Sequence, residues 1–418
     1  MSSYRKTLPW IIWFLASFFY AFQYVLRILP GITIDEVMSR FQIDAAIFGQ
    51  FSGIYYLGYA GMHIPIGMML DRIGPRKVLP VSLLVILLGL TPLLFSNSWV
   101  LACVGRLLIG MGSSAAILGV FKVVRMAFSE ERFGRMLGFS VTIGLLGAIY
   151  GGQPVTYLLH IFGLEKVLYL IIFSGLVLCV FLYMLLPDHK EDHALSHSIM
   201  TDIGNVIKAP HVLLICLFAG LMVSPMEGYA DGWSVSFLST TYGFDKATAA
   251  SLSSLIFIGM CVGSPLLPLM AEKSRKYYEL IIVCALVMAV SFFVLLLGKP
   301  SFYSLSFLFF VMGISCAYQI LAIYKASTYV PESLTGLTTA SANMIIMAFG
   351  YIFHSTIGSL MESTWDGTVV NGVHIYSVSS FKFSLMLIPV TLLVGALGFL
   401  VIRRRSLKFG GGRIVNTV

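Results

Sequence analysis

The sequence predicts an all-α membrane protein in which twelve transmembrane helices form two pseudo-symmetric six-helix bundles. Three observations carry that expectation. Hydrophobic residues make up 58% of the chain and charged residues only 11%, against roughly half and a quarter in soluble domains. The apolar residues gather into twelve runs, each near the ~20 residues a helix needs to cross a bilayer core. The two halves of the chain also repeat one another at matching places, as those of many membrane proteins do.

The runs cover residues 10–30, 46–70, 78–96, 99–126, 136–160, 165–186, 211–238, 247–270, 279–298, 302–328, 336–360 and 380–402. The longest polar break, 187–210, divides them six and six, giving an N-terminal bundle over 1–186, a cytoplasmic linker and a C-terminal bundle over 211–418. Arg5 and Lys6 precede a first run of full membrane length with no small-residue cleavage site, which reads as a retained helix and not a removed signal. The net charge of +8 does not call for nucleic acid. With both termini cytoplasmic, seventeen of the 27 Lys and Arg residues fall on cytoplasmic segments and five outside, the bias expected of an inserted protein. The six cysteines lie scattered in apolar runs, as core residues and not as a disulfide framework or metal site.

Little chain is left for a catalytic domain. There is no Gly-x-x-x-x-Gly-Lys-Ser/Thr phosphate cradle, no metal-spaced cluster and no nucleophile with an evident base. An enzyme, direct ATP drive and a bound cofactor are therefore not expected.

The repeat is clearest in the fourth and tenth runs. Lys122 follows Gly110, and Lys325 follows Gly313, at the same spacing. The first and seventh runs match loosely: Gln23 and Arg27 in one, Glu227 and Asp231 in the other. Each pair is four residues apart and so shares a helix face.

The loop after the second run reads Gly67-Met-Met-Leu-Asp71-Arg72-Ile-Gly74-Pro-Arg76-Lys77. This charged turn between two apolar runs resembles, almost position for position, the loop signature of the major facilitator superfamily of secondary transporters. Gly105-Arg106-Leu-Leu-Ile-Gly110-Met-Gly112 resembles that family's second motif, while the first run lacks a central carboxylate to match it. The Gly-Gly-Gln-Pro order at 151–154 departs from the antiporter pattern. The resemblance implies two bundles around a central site open alternately to either side. It also implies that Gly67 allows close contact with the other half, that Asp71 meets a helix N-terminus, and that Arg72, Gly74 and Arg76 help hold one face closed as a conformational gate.

Charge inside a bilayer costs roughly 2.5–3.5 kcal/mol per residue even on the mild insertion scale and so faces a cavity or a partner. Glu227 and Asp231, set among glycines that permit local unwinding, read as a proton-coupling pair, or else as a salt bridge to Arg27. Arg106 reads equally as a coupling or a structural residue. Lys122 and Lys325 read as a positive floor for an anionic solute, or as snorkelling side chains. Tyr20, Gln23, Arg27, Tyr55 and Tyr324 join the two lysines as substrate-binding candidates, with Tyr56 a further one. His354 reads as a packing residue more readily than a proton carrier.

These residues point to a transporter of a small anionic or zwitterionic solute such as a carboxylate, amino acid, short peptide or phosphorylated compound. Proton symport is the first reading, with uniport or exchange beside it. A monomer is expected, and the short loops suit a bacterial inner membrane. An exporter of amphipathic compounds and a solute sensor that moves nothing are the rivals.

Overall fold

A backbone in hydrocarbon must satisfy its own hydrogen bonds, and helices do so within one segment. The computed structural model describes residues 2–187, 209–331, 334–370 and 372–408, and within them the apolar runs are helices. The linker expected over 187–210 lies, apart from its ends, outside the described residues.

The first half comprises α1 (Ser2–Ile32), a short surface helix α2 (Ile34–Phe41), α3 (Ala45–Arg72), α4 (Pro75–Phe95), α5 (Trp99–Ala127), α6 (Glu130–Gly151) and α7 (Gln153–Leu185). The fifth and sixth spans meet within α7, where Gly163 takes φ 77° and breaks the helix, inside the expected gap at 161–164. In the second half the seventh span is composite: α8 (Pro210–Leu221), a π-helical stretch (Ser224–Trp233) and α9 (Ser234–Tyr242). Then come α10 (Lys246–Ser274), α11 (Tyr277–Leu297), the tenth span as α12 (Phe302–Cys316) and α13 (Tyr318–Ser327), and α14 (Thr335–Ser363). A two-residue hairpin, β1 (Val369–Val370) with β2 (Val373–His374), leads into α15 (Val378–Leu385) and α16 (Leu387–Lys408).

By length and composition, ten helical stretches among the described residues can cross a membrane; one of them, Glu131–Leu185, contains both the fifth and sixth spans. The remaining span is α3, whose tyrosines, glycines and histidine dilute its apolar character.

Helices entering from the face opposite Asp71 start on capping side chains. Asp44 accepts from Ile47 N at 2.8 Å, Asp245 from Thr248 N at 3.1 Å, and Ser377 from Ser380 N at 3.2 Å. Each satisfies an orphan N–H at a helix start. The hydrogen bond from Thr248 also holds the Asp245 carboxyl below its ordinary pKa.

The repeat is visible in the packing. Gly110 of α5 lies against the backbone of Tyr55 in α3, and Gly313 of α12 against the backbone of Ile256 in α10. A side chain at either glycine would meet main-chain atoms, so both halves use the same close helix crossing. The halves join where α3 packs along α14 and α6 along α10.

Candidate functional site

A cavity of about 340 Å³ lies between the two halves. Its walls come from α1 (Tyr20, Gln23, Tyr24, Arg27), α3 (Tyr59, His63), α5 (Ile117, Leu118, Phe121), the π-helical stretch (Met226, Glu227), α10, α13 (Gln319, Ile323) and α14 (Thr339, Asn343, Met347). It is open toward the Asp71 face, where Phe121 is exposed. On the other side it is sealed by the close run of α3 along α14 and by the buried rings of Phe48, Tyr56 and Trp233.

Arg27 stands at the closed end. Its guanidinium contacts Glu227 and lies 2.6 Å from Asp231, while the rings of Tyr24 and Tyr56 lie 5.1 and 5.3 Å from its Cζ. Tyr56 donates to both acids, at 3.0 Å to Glu227 and more closely to Asp231. All of these groups are buried. Two carboxylates and two ring faces thus replace the water that a buried guanidinium loses, and the Tyr56 hydroxyl in turn bonds the carboxylates. The wider turn of the π-helical stretch presents both acids to α1, and such bulges are frequent at functional sites.

Arg106 donates to the carbonyls of Leu26 (2.8 Å) and Arg27 (3.0 Å) and lies 4.7 Å over the Tyr55 ring. Tyr55 in turn donates to Gln23 Oε1 at 2.6 Å. Arg106 and Tyr55 therefore hold the α1 backbone and Gln23 from behind, and neither lines the cavity. His354 is buried with its ring stacked on Tyr56, centroids 5.6 Å apart; it packs behind the charge cluster.

Several expected positions differ. Lys122 and Lys325 do not form a cavity floor. The Lys122 ammonium is 3.0 Å from Asp71 Oδ1. That of Lys325 sits over the rings of Tyr277, Tyr278 and Tyr329 at 5.2–5.9 Å. A lysine stem near a helix end swings its charge to the nearest acid or ring, and here those lie outside the cavity. Tyr324 is about half exposed and stacks on Tyr277, so it too lies elsewhere.

Asp71 meets the Lys122 side chain of α5, and Gly67 faces Leu118 of the same helix and not the opposite half. Arg76 donates to the Tyr183 carbonyl of α7 at 3.1 Å, Arg72 is exposed, and Gly74 takes φ 86° to begin α4. With the cavity open on this face, the contacts of the loop named here, among the described residues, all lie within its own bundle.

The structure adds His63, Tyr59, Gln319 and Asn343 to the site. Tyr56, Tyr59 and His63 fall on one face of α3, with Tyr59 and His63 rings 5.3 Å apart. That spacing was readable in the sequence; that this face meets a cavity was not.

Comparison with known proteins agrees with this architecture. The family model described as Major Facilitator Superfamily matches residues 12–355. An uncharacterized transporter of Bacillus subtilis, YybO, is 23% identical over 313 residues, spanning 68% of this chain and 71% of its own. The multidrug resistance protein MdtM of Salmonella typhimurium is 23% identical over 205 residues, about half of each chain (48% and 49%). Among solved structures, a bacterial homolog of the human lysosomal transporter Spinster in an inward-facing, occupied conformation superposes with a TM-score of 0.77 at 15% identity, over 96% of this chain and 98% of that one. A D-xylose-proton symporter gives 0.71 at 15% identity, over 93% and 97%. At such identities the structural likeness concerns the fold. The family match, covering most of the chain, goes further: this protein belongs to the Major Facilitator Superfamily and is a membrane transporter, not an enzyme.

Proposed function

We propose that the chain is a proton-coupled secondary transporter of a small anionic or zwitterionic organic solute, acting as a monomer by alternating access. One observation carries this reading. Among the described lining residues, Arg27 alone holds a fixed positive charge, and carboxylates from the other half of the chain occupy it.

A solute carboxylate entering the cavity competes with Glu227 for Arg27. Once displaced, Glu227 is a buried carboxylate without its counter-ion, a costly state that uptake of a proton relieves. Solute and proton then load together. The same exchange loosens the tie between the first and seventh spans, so loading and the change of access are linked. The charge bias of the loops makes the Asp71 face cytoplasmic, so the described state is inward-facing, in an arrangement suited to a bacterial inner membrane.

The test is uptake of a radiolabelled carboxylate and amino-acid panel into proteoliposomes, with and without an imposed proton gradient. A gradient should accelerate uptake by wild type. In Glu227→Gln, gradient-driven uptake should fall while exchange of solute for solute persists. Uptake indifferent to both the gradient and Arg27→Gln would sink the proposal.

A second reading, export of amphipathic compounds, draws on the Tyr20, Tyr24, Tyr59, Phe121 and Met347 walls and on relatives named for multidrug and methyl viologen resistance. It expects lipophilic cations to bind through Glu227 without need of Arg27.

A further inference from the structure

The cavity contains polar groups that the charge cluster does not use. His63 and Gln319 both line it and are more than nine-tenths buried, yet His63 Nδ1 and Gln319 Nε2 have no hydrogen-bond partner among the described residues. Asn343, also in the lining, places its amide nitrogen 3.5 Å from His63 Nε2. With the Asn343 nitrogen turned to the ring it donates to Nε2, and the proton of a neutral His63 ring then sits on Nδ1. The result is two buried N–H donors, from opposite halves of the chain, each without an acceptor.

They stand at one depth. His63 is nine residues before the end of α3 at Arg72, Gln319 eight before the end of α13 at Ser327, and Asn343 eight after the start of α14 at Thr335. All three helix ends lie toward the open side. Tyr56, which bonds both acids, precedes His63 by two helical turns, or about 10 Å along α3 at 1.5 Å per residue. The donors are therefore separated from Arg27 along the axis of the cavity.

We infer that His63, Asn343 and Gln319 form a second recognition subsite, which takes a carbonyl or hydroxyl oxygen at the end of the solute remote from its anionic group. This rests on the reading of Arg27 as the anion anchor, and it narrows the solute class to organic acids or zwitterions bearing a distal oxygen acceptor. A plain alkyl acid leaves both donors buried and unmatched, and the loss from an unmatched buried donor exceeds the net gain from a matched one. Selectivity therefore comes mainly from rejection of solutes lacking that oxygen.

The experiment measures binding to the purified full-length chain in nanodiscs by calorimetry. The probes are pentanoate, which has no distal acceptor, and levulinate and N-acetylglycine, which have one. Wild type should bind the latter two about tenfold or more tighter than pentanoate. In Gln319→Met, which keeps the length of the side chain and removes the N–H, and in His63→Phe, that ratio should collapse toward one. The melting temperature without ligand checks folding, and Gln319→Met decides the matter if His63→Phe does not fold.

Arg27-dependent binding of all three acids with no preference in wild type overturns the subsite and leaves the anion anchor standing. A preference that survives both substitutions also overturns the subsite. Binding of none of the acids, or binding indifferent to Arg27→Gln, removes the anchor and the subsite with it.

Discussion

Arg27 and Asp231, 204 positions apart in the chain, lie 2.6 Å from each other in the closed end of the cavity. They join the first span to the seventh, one from each half. Removing one member of a buried ion pair leaves the other charge uncompensated, at a cost of about 3–5 kcal/mol. Arg27→Gln should therefore destabilise the protein strongly in thermal or denaturant unfolding. The triple change Arg27→Met/Glu227→Gln/Asp231→Asn should recover a large part of that loss while abolishing transport. An Arg27→Gln variant as stable as wild type would contradict the geometry.

The Asp71–Lys122 pair joins an exposed acid to a buried lysine on the open face. Exchanging the two charges, Asp71→Lys with Lys122→Asp, should restore part of what either single change loses. Because the pair lies outside the cavity, Asp71→Asn should alter solute affinity little, less than about twofold by the usual weight of an exposed pair. It should slow the turnover cycle more, read as net flux against binding in the same preparation.

On the closed face Tyr376 links three segments. Its hydroxyl accepts from Ala45 N at 2.8 Å and donates to Glu362 at 2.5 Å, while His374 Nδ1 lies 3.1 Å from the same carboxyl. Tyr376→Phe removes both tyrosine bonds, each worth roughly 0.5–1.5 kcal/mol. The outward-open population should rise about tenfold or more, measured as labelling of a cysteine introduced at Ala45. Burial raises the Tyr376 phenol above its ordinary pKa, so the neutral form is favoured in the folded state. Its stabilisation is then fully present below the unfolded tyrosine pKa of about 10 and is lost only as pH rises beyond it. The Tyr376→Phe effect should be flat across neutral and mildly alkaline pH.

Gly110 and Gly313 make the equivalent helix crossing in the two halves. Substitution by leucine at either should cost about 1–3 kcal/mol by overpacking, with similar losses at the two sites. Substitution at Gly134, where a Cβ would meet nothing within 4 Å among the described residues, should be tolerated. Thermal unfolding of the three variants in detergent makes the comparison.

The sequence by itself determined the membrane class, the twelve spans, the two-half repeat and the family, because each depends on local composition or on spacing along the chain. It also singled out Arg27, Glu227 and Asp231, since charge within an apolar run is conspicuous wherever it ends up. What only the tertiary structure decided is which polar groups share a space. Lys122 and Lys325 occupy repeat-related positions, yet one meets Asp71 and the other a cluster of tyrosines, because a long flexible stem takes the partner that neighbouring helices offer. His63 lies on a helix far in sequence from the neighbouring pair that carries Gln319 and Asn343, and it comes to their depth only when the halves pack. Helix periodicity fixes the face on which a residue stands; the packing of the other helices fixes what that face meets.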